Sequence, residues 1–176
     1  MNDVQKVLIA AAFASRKHTA QRRKDAAATP YINHPLELAR VLTEDGGVTD
    51  AATLCGALLH DTVEDTDTTI AELQSIFGEE IASIVAEVTD DRSLPKPERK
   101  RAQVEHAAHI SDKAKLVKLA DKISNLRDVA HSPPDRWDLQ RRQEYFDWAK
   151  SVIDRLRGVH PALEAQFDRV YADRPA

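Results

Sequence analysis

The chain of 176 residues has one cysteine, no excess of basic charge, no apolar run long enough to cross a membrane and almost nothing that reads as a β-strand. Each lack excludes something. Cys55 alone can form no internal disulfide, and its apolar neighbours make it a small core residue of a protein kept in a reducing compartment. The 25 basic and 29 acidic residues leave a formal net charge of −4. That balance argues against a general nucleic-acid binder and requires any anionic substrate to meet a local basic patch. Without a membrane-length segment the chain is expected to be soluble. The apolar stretch 7–14 has no basic leader, since Asp3 offsets Lys6. Val4, Leu8 and Ala11 recur there at helical spacing, so the stretch predicts a first core helix rather than a signal peptide, and the expected compartment is the cytoplasm. No repeat, low-complexity tract or linker divides the chain, and its length suits one domain spanning residues 1–176.

What is present is helix after helix. Asn2 or Asp3 can cap a first helix to about residue 18, followed by a loop over 21–33 that begins with Arg22, Arg23 and Lys24. His34-Pro35 opens a second helix that ends at Gly46-Gly47, and Asp50 caps a third running up to His60. Further helices are expected to end near Phe77-Gly78 and to cover 79–89 and about 98–109. Asp112 should cap another, with Leu116, Leu119, Ala120, Ile123 and Leu126 facing inward. Pro133-Pro134 breaks the chain before a long helix over 137–157, and a last helix follows His160-Pro161. The predicted class is all-α, a single-domain helical bundle.

One run carries chemistry: Ala57-Leu58-Leu59-His60-Asp61-Thr62-Val63-Glu64-Asp65. If helical, it puts His60 one turn from Glu64 and Asp61 one turn from Asp65. The plain alternative is an acidic, solvated helix end, which the negative end of the helix dipole disfavours. His34, at a helix start, and Asp121, beside apolar Leu119, Ala120 and Ile123, complete four candidate ligands. A carboxylate near a core needs a cation or strong donors, and for Asp121 a salt bridge to Lys118 or Lys122 would also serve. The other histidines, His18, His106, His109, His131 and His160, have polar surroundings or helix ends, where surface roles suffice. Two imidazoles with two carboxylates suit Mn²⁺, Fe²⁺ or Zn²⁺ better than Mg²⁺. Such an ion acidifies water and polarises a phosphoryl oxygen, and Glu64 and Asp65 are then placed to position or deprotonate that water.

The order His34 … His60-Asp61 … Asp121 resembles the H…HD…D signature of the HD-domain metal phosphohydrolases. Longer segments, RRKDAAATPYINHP, ALLHDTVEDTDTT, AEVTDDRSLPKPERKR and KLVKLADKISNLRD, are similar to the small alarmone hydrolases, the stand-alone SpoT-like enzymes. The resemblance covers essentially the whole chain. It implies an HD-type helical bundle that removes the 3′-pyrophosphate of guanosine tetra- and pentaphosphate with Mn²⁺, and implies His34, His60, Asp61 and Asp121 as ligands. It likewise implies Glu64 and Asp65 as the catalytic pair, and Arg23, Lys24, Asn125, Lys96 and Tyr145 as residues at the guanine-nucleotide substrate. Compared with the long bifunctional enzymes, the loop between Lys24 and Pro30 lacks glycine and is longer, and synthetase and regulatory regions are absent, so the chain is expected to degrade alarmone and not make it. Two other functions compete. One is an HD phosphatase acting on a 2′- or 3′-phosphate of another nucleotide such as NADPH. The other is a catalytically silent nucleotide sensor, which would have no use for a water-activating pair.

Overall fold

The computed structural model describes residues 1–176 as ten α-helices and one π-helical turn, without a named strand. The third helix, α3 (Ala51–Leu59), is a central helix against which four others pack. Eight of its nine residues are buried, so it is apolar on every side, as a central helix must be. The Asp50 carboxylate caps it by accepting from Thr53 N at 2.8 Å and Thr53 Oγ1 at 2.7 Å. Against α3 lie α1 (Asp3–Lys17), α2 (Asn33–Arg40), α6 (Glu79–Val88) and α8 (Asp112–His131). Gly56 lets α6 approach closely, because a Cβ there would sit 2.5 Å from Ile84 Cγ2. A single cluster of 35 buried residues runs through these helices. Cys55 lies within it, fully buried, and burial pushes its thiol up to about 11.

The chain does not run as one helix through His60 and Asp61. The third helix stops at Leu59, Asp61 has φ −98° and ψ −2°, and a separate turn, α4 (Thr62–Asp65), starts beyond it. Consecutive residues of an unbroken helix would point about 100° apart; the break lets His60 and Asp61 face the same place. Thr62 Oγ1 donates to Leu59 O at 2.7 Å and holds the corner. Between α1 and α2 the loop closes on itself: Arg22 bridges to Pro30, Arg23 N donates to Thr29 O at 2.8 Å and Tyr31 N to Gln21 O at 3.1 Å. The second helix continues past Arg40 as a π-helical turn, Val41–Asp45, up to Gly46.

Several expectations need correction. Val4 and Leu8 are 69% and 64% exposed; α1 buries Ala10, Phe13 and Ala14 instead. Its middle stretch, residues 7–14, is apolar on every side, so spacing alone did not identify the inner face. Ser111 rather than Asp112 caps α8, accepting from Ala114 N. The sequence between the last two breaks forms α9 (Leu139–Ile153), which starts after Trp137, with Asp138 as cap, and stops before residue 157. Pro95 precedes α7 (Lys96–His106), which therefore starts two residues earlier than expected and already includes Lys96. Short α5 (Ile70–Phe77) and terminal α10 (Pro161–Tyr171) fall where the caps place them.

Candidate metal centre and its cavity

His34 comes from the first turn of α2, His60 and Asp61 from the corner after α3, and Asp121 from the middle of α8. Ligand atoms of His34, His60 and Asp121 lie within 4.8 Å of one another. His34 Nε2 is 3.2 Å from Asp121 Oδ1, and its Nδ1 is 3.3 Å from Ser124 Oγ. Asp61 stands outside this close trio and joins it through His60, whose Nε2 is 2.8 Å from Asp61 Oδ2. The Tyr31 hydroxyl donates to the same Asp61 oxygen. His18, expected at the surface, is 2% exposed, packs on the Tyr31 ring at 4.9 Å and meets Gln21 Oε1 through Nδ1 at 2.6 Å. The end of α1 tucks beneath the loop, and the polar neighbours of His18 in sequence gave no sign of it.

The donor set fits a divalent cation. His60 Nδ1 donates to Ala57 O at 2.8 Å, so Nε2 is the atom left to face the site, and it is buried without a hydrogen bond although two carboxylates surround it. A carbonyl that fixes one imidazole nitrogen so that the other meets a cation is the usual support of a metal-binding histidine. Without the cation, burial disfavours the charged ring, yet Asp61 and Asp121 outweigh it and raise His60 to about 9. Burial lowers His34, with Asp121 only partly offsetting the effect. Burial opposes ionisation of Asp61 and Asp121 as well, but His60 and His34 hold Asp61, and Lys122 and the histidines hold Asp121, below the usual carboxylate range. Asp121 thus has both partners that its sequence context allowed: Lys122 Nζ lies 3.0 Å from Oδ2, while Oδ1 accepts from Asn125 Nδ2 at 2.6 Å and faces the histidines.

Glu64 and Asp65 are both present at the rim, in different settings. Glu64 lines the same cavity as the trio, and burial together with Asp90 and Asp61 raises its carboxyl. Asp65 is turned towards a neighbouring cavity and paired with Gln21 and Arg92. The main cavity, of about 760 Å³, opens from Asp61 and Asp121 towards α7 and α9. Lys96, Arg99 and Lys100, on one face of α7, and Arg141 of α9 line it without an acidic partner of their own. Burial, Arg141 and Lys24 lower Lys96; burial and Lys96 lower Lys100. Aromatic rings form the floor: Lys122 Nζ is 4.3 Å and Lys100 Nζ 4.7 Å from the Trp148 centroid, and Arg141 Cζ is 4.6 Å from that of Trp137. Tyr145 packs between the two tryptophans at 5.3 and 5.4 Å.

The neighbouring cavity, about 600 Å³, shares Arg23, Tyr31, Asp61, Glu64, Asn125, Trp137 and Tyr145 with the first and adds Lys24. Arg23 pairs with Asp128, reaches Asn125 Oδ1 at 3.4 Å and lies 5.8 Å over the Tyr31 ring. Lys24 is exposed and unpaired. The fold therefore gathers all the residues picked out in the sequence around two joined cavities. Sequence reasoning missed Tyr31, Lys100, Arg141, Trp137 and Trp148, and named Lys122 only as a salt-bridge partner of Asp121. The spacing of Lys96, Arg99 and Lys100 in PKPERKR was a usable signal; nothing local marks the residues of α9.

The largely buried group of His34, His60 and Asp121, able to hold a metal ion, lies at the core of an all-helical bundle, and the HD domain family matches residues 10–147. The chain belongs to that family. It is 56% identical over 173 residues to guanosine-3′,5′-bis(diphosphate) 3′-pyrophosphohydrolase MESH1 of Xenopus tropicalis, covering 98% of this chain and 97% of that protein. Identity to the Homo sapiens protein of the same name is 53%, with the same coverage. A solved structure described as a metazoan ortholog of SpoT that hydrolyses ppGpp and plays a role in starvation responses matches with a TM-score of 0.93 and 46% identity, over 96% of this chain and 95% of that one. The relatives are hydrolases by name, and no helix of the present chain is long and apolar enough to cross a membrane.

Proposed function

We propose that the chain, as one HD domain over residues 1–176, hydrolyses the 3′-pyrophosphate of guanosine tetra- and pentaphosphate, giving guanosine di- or triphosphate and pyrophosphate. The observation that carries this reading is a single cavity with the His34–His60–Asp121 trio and Glu64 at one end and unpaired cations at the other. A substrate bearing diphosphates on both sides of a ribose needs both ends. His34, His60, Asp61 and Asp121 would hold one Mn²⁺, which when bound would supply a Lewis acid able to acidify water and polarise the phosphoryl group. Water adds to the phosphorus joined to the 3′ oxygen, the bond from that phosphorus to the 3′ oxygen breaks, and pyrophosphate leaves with the oxygen from water. Glu64 takes the water's proton, a role that suits a carboxylate made more basic by burial and by Asp90. The 3′ oxygen takes up a proton from solvent as it leaves, and Glu64 gives the water's proton back to solvent afterwards. Asp65 belongs to the same pair, and Asn125 links Asp121 to Arg23 beside the ribose. Arg23, Lys24, Lys96 and Tyr145 bind the nucleotide, the cations by charge and Tyr145 from the cavity wall that it shares with the two tryptophans. Cytoplasmic action on this small anion requires neither nucleic acid nor membrane.

The test is turnover of guanosine tetraphosphate with Mn²⁺, with products separated by anion exchange. Guanosine diphosphate and pyrophosphate without orthophosphate are expected. Glu64→Gln should retain Mn²⁺ and substrate affinity while turnover falls about 100-fold or more, the scale for losing a positioned base. Orthophosphate as the only phosphorus product would favour a nucleotide 2′- or 3′-monophosphatase, and binding without turnover would favour a sensor.

A further inference from the structure

Each of the four carboxylate oxygens of Glu64 and Asp65 has one partner, and none of the partners belongs to α4. Asp65 Oδ2 accepts from Gln21 Nε2 at 2.7 Å, and Asp65 Oδ1 pairs with Arg92. Glu64 Oε2 accepts from Asp90 N at 3.2 Å, and Glu64 Oε1 lies 3.5 Å from Arg92 Nε. The guanidinium of Arg92, on the loop between α6 and α7, is thus the one group that touches both acids. A helix of four residues cannot hold its own orientation, because one turn does not repay the entropy of fixing it. The side chains of α4 must be aimed from outside.

We propose that Arg92 is a positioning residue: its planar fork spans Glu64 and Asp65 and holds Glu64 at the angle from which it takes the water's proton. Only a guanidinium can do this, since its donors diverge in a fixed plane while an ammonium is a point charge. Stability is not the purpose. Arg92 is 55% exposed along its side chain, and exposed ion pairs contribute little to folding. The assignment of Arg92 as a positioning residue deepens the hydrolase reading and rests on it.

The test uses the full chain with Mn²⁺ and guanosine tetraphosphate. For Arg92→Ala the melting temperature, Mn²⁺ affinity and KM should be unchanged while kcat falls about 10- to 100-fold, the scale of misplacing a reacting group. Arg92→Lys should restore little of it. In a Glu64→Gln background the Arg92→Ala loss should vanish, since no base remains to be aimed. Separately from any turnover, the Asp90 amide, which donates to Glu64, should exchange its hydrogen faster in Arg92→Ala. A raised KM at constant kcat, full rescue by lysine, losses that multiply in the double variant, or unchanged Asp90 exchange would each overturn the assignment. Absence of turnover by the wild-type chain would remove the hydrolase reading instead, and the Asp90 exchange would still decide whether Arg92 grips α4.

Discussion

Lys122 and Asp121 are consecutive residues of α8 whose side chains nevertheless meet, with Nζ 3.0 Å from Oδ2 and only 3% of the Lys122 side chain exposed. Adjacent helical residues do not ordinarily face one another. Here the lysine ammonium sits over the Trp148 ring, and one oxygen of Asp121 is committed to that internal cation while the other faces the histidines. Lysine at this place satisfies the buried carboxylate whether or not a metal is bound.

Lys122→Met should therefore leave the Oδ2 side of Asp121 without its cation. Breaking one side of a buried pair costs on the order of 3–5 kcal/mol, so the metal-free variant should unfold at much lower urea. Mn²⁺ should restore part of that loss by supplying charge to the same carboxylate. An equal deficit with and without Mn²⁺ would show that Lys122 serves packing alone.

Acidity of His60 sets a second expectation. Its folded value, about 9, is above the ordinary 6.5, so its contribution to the stability of the metal-free protein is fully present below pH 6.5 and is lost as pH rises through 9. A cation must displace that same proton, so Mn²⁺ affinity should climb about tenfold per pH unit across this window. Urea midpoints and calorimetric titrations between pH 6.5 and 9 measure the two trends. In His60→Ala both slopes should disappear; persistence of either would assign it to another group.

Arg23→Ala and Lys24→Ala should weaken substrate binding and make it less sensitive to salt, with metal content unchanged. A lost hydrogen bond to a charged group is worth about 1.5–3 kcal/mol. The two should differ in degree, because Arg23 is pre-set by Asp128 and Tyr31 whereas Lys24 is free in solvent. Identical KM in both variants and in the wild type would make this loop an ordinary basic surface.

Gly56→Ala tests the centre of the bundle. The added methyl would meet Ile84 Cγ2 at 2.5 Å, across the contact of α3 with α6. Overpacking of this kind costs about 1–3 kcal/mol, and since His60 directly follows the last residue of α3, Mn²⁺ affinity should fall with it. Thermal melts with and without metal would show whether the helix shifts as a unit.

The positions of the candidate ligands were legible because helix caps and breaks announce themselves locally. Pro35 marks the start that carries His34, Asp50 the helix that delivers His60, and the apolar flanks of Asp121 an inward carboxylate. Facing direction was harder to read. The corner at His60-Asp61 has no glycine or proline to betray it; it is fixed by Thr62 and by the side-chain contacts of Asp61. The buried state of His18 depends on Tyr31, 13 positions along the chain, and the exposure of Val4 and Leu8 depends on which side of α1 meets α3. The cavity's far wall, Arg141 with Trp137 and Trp148, is assembled by tertiary packing of α7, α8 and α9, which periodicity within any one of them does not encode.

The bridge between Arg22 and Pro30, with the bonds Arg23 N to Thr29 O and Tyr31 N to Gln21 O, divides the first loop into two parts with different freedoms. Below it, Gln21, Arg23 and Tyr31 are locked in register with one another and with the acids they touch. Above it, residues 24–29 form a tip pinned only by Asp25 and Thr29, with Ala28 at φ 47°. Length can therefore drift in the tip across descendants of this fold while the residues beneath keep their places. Within it, the exposed residues 26–28 are the natural port for an inserted tag or fluorophore, and glycine at position 28 would relieve its one left-handed alanine.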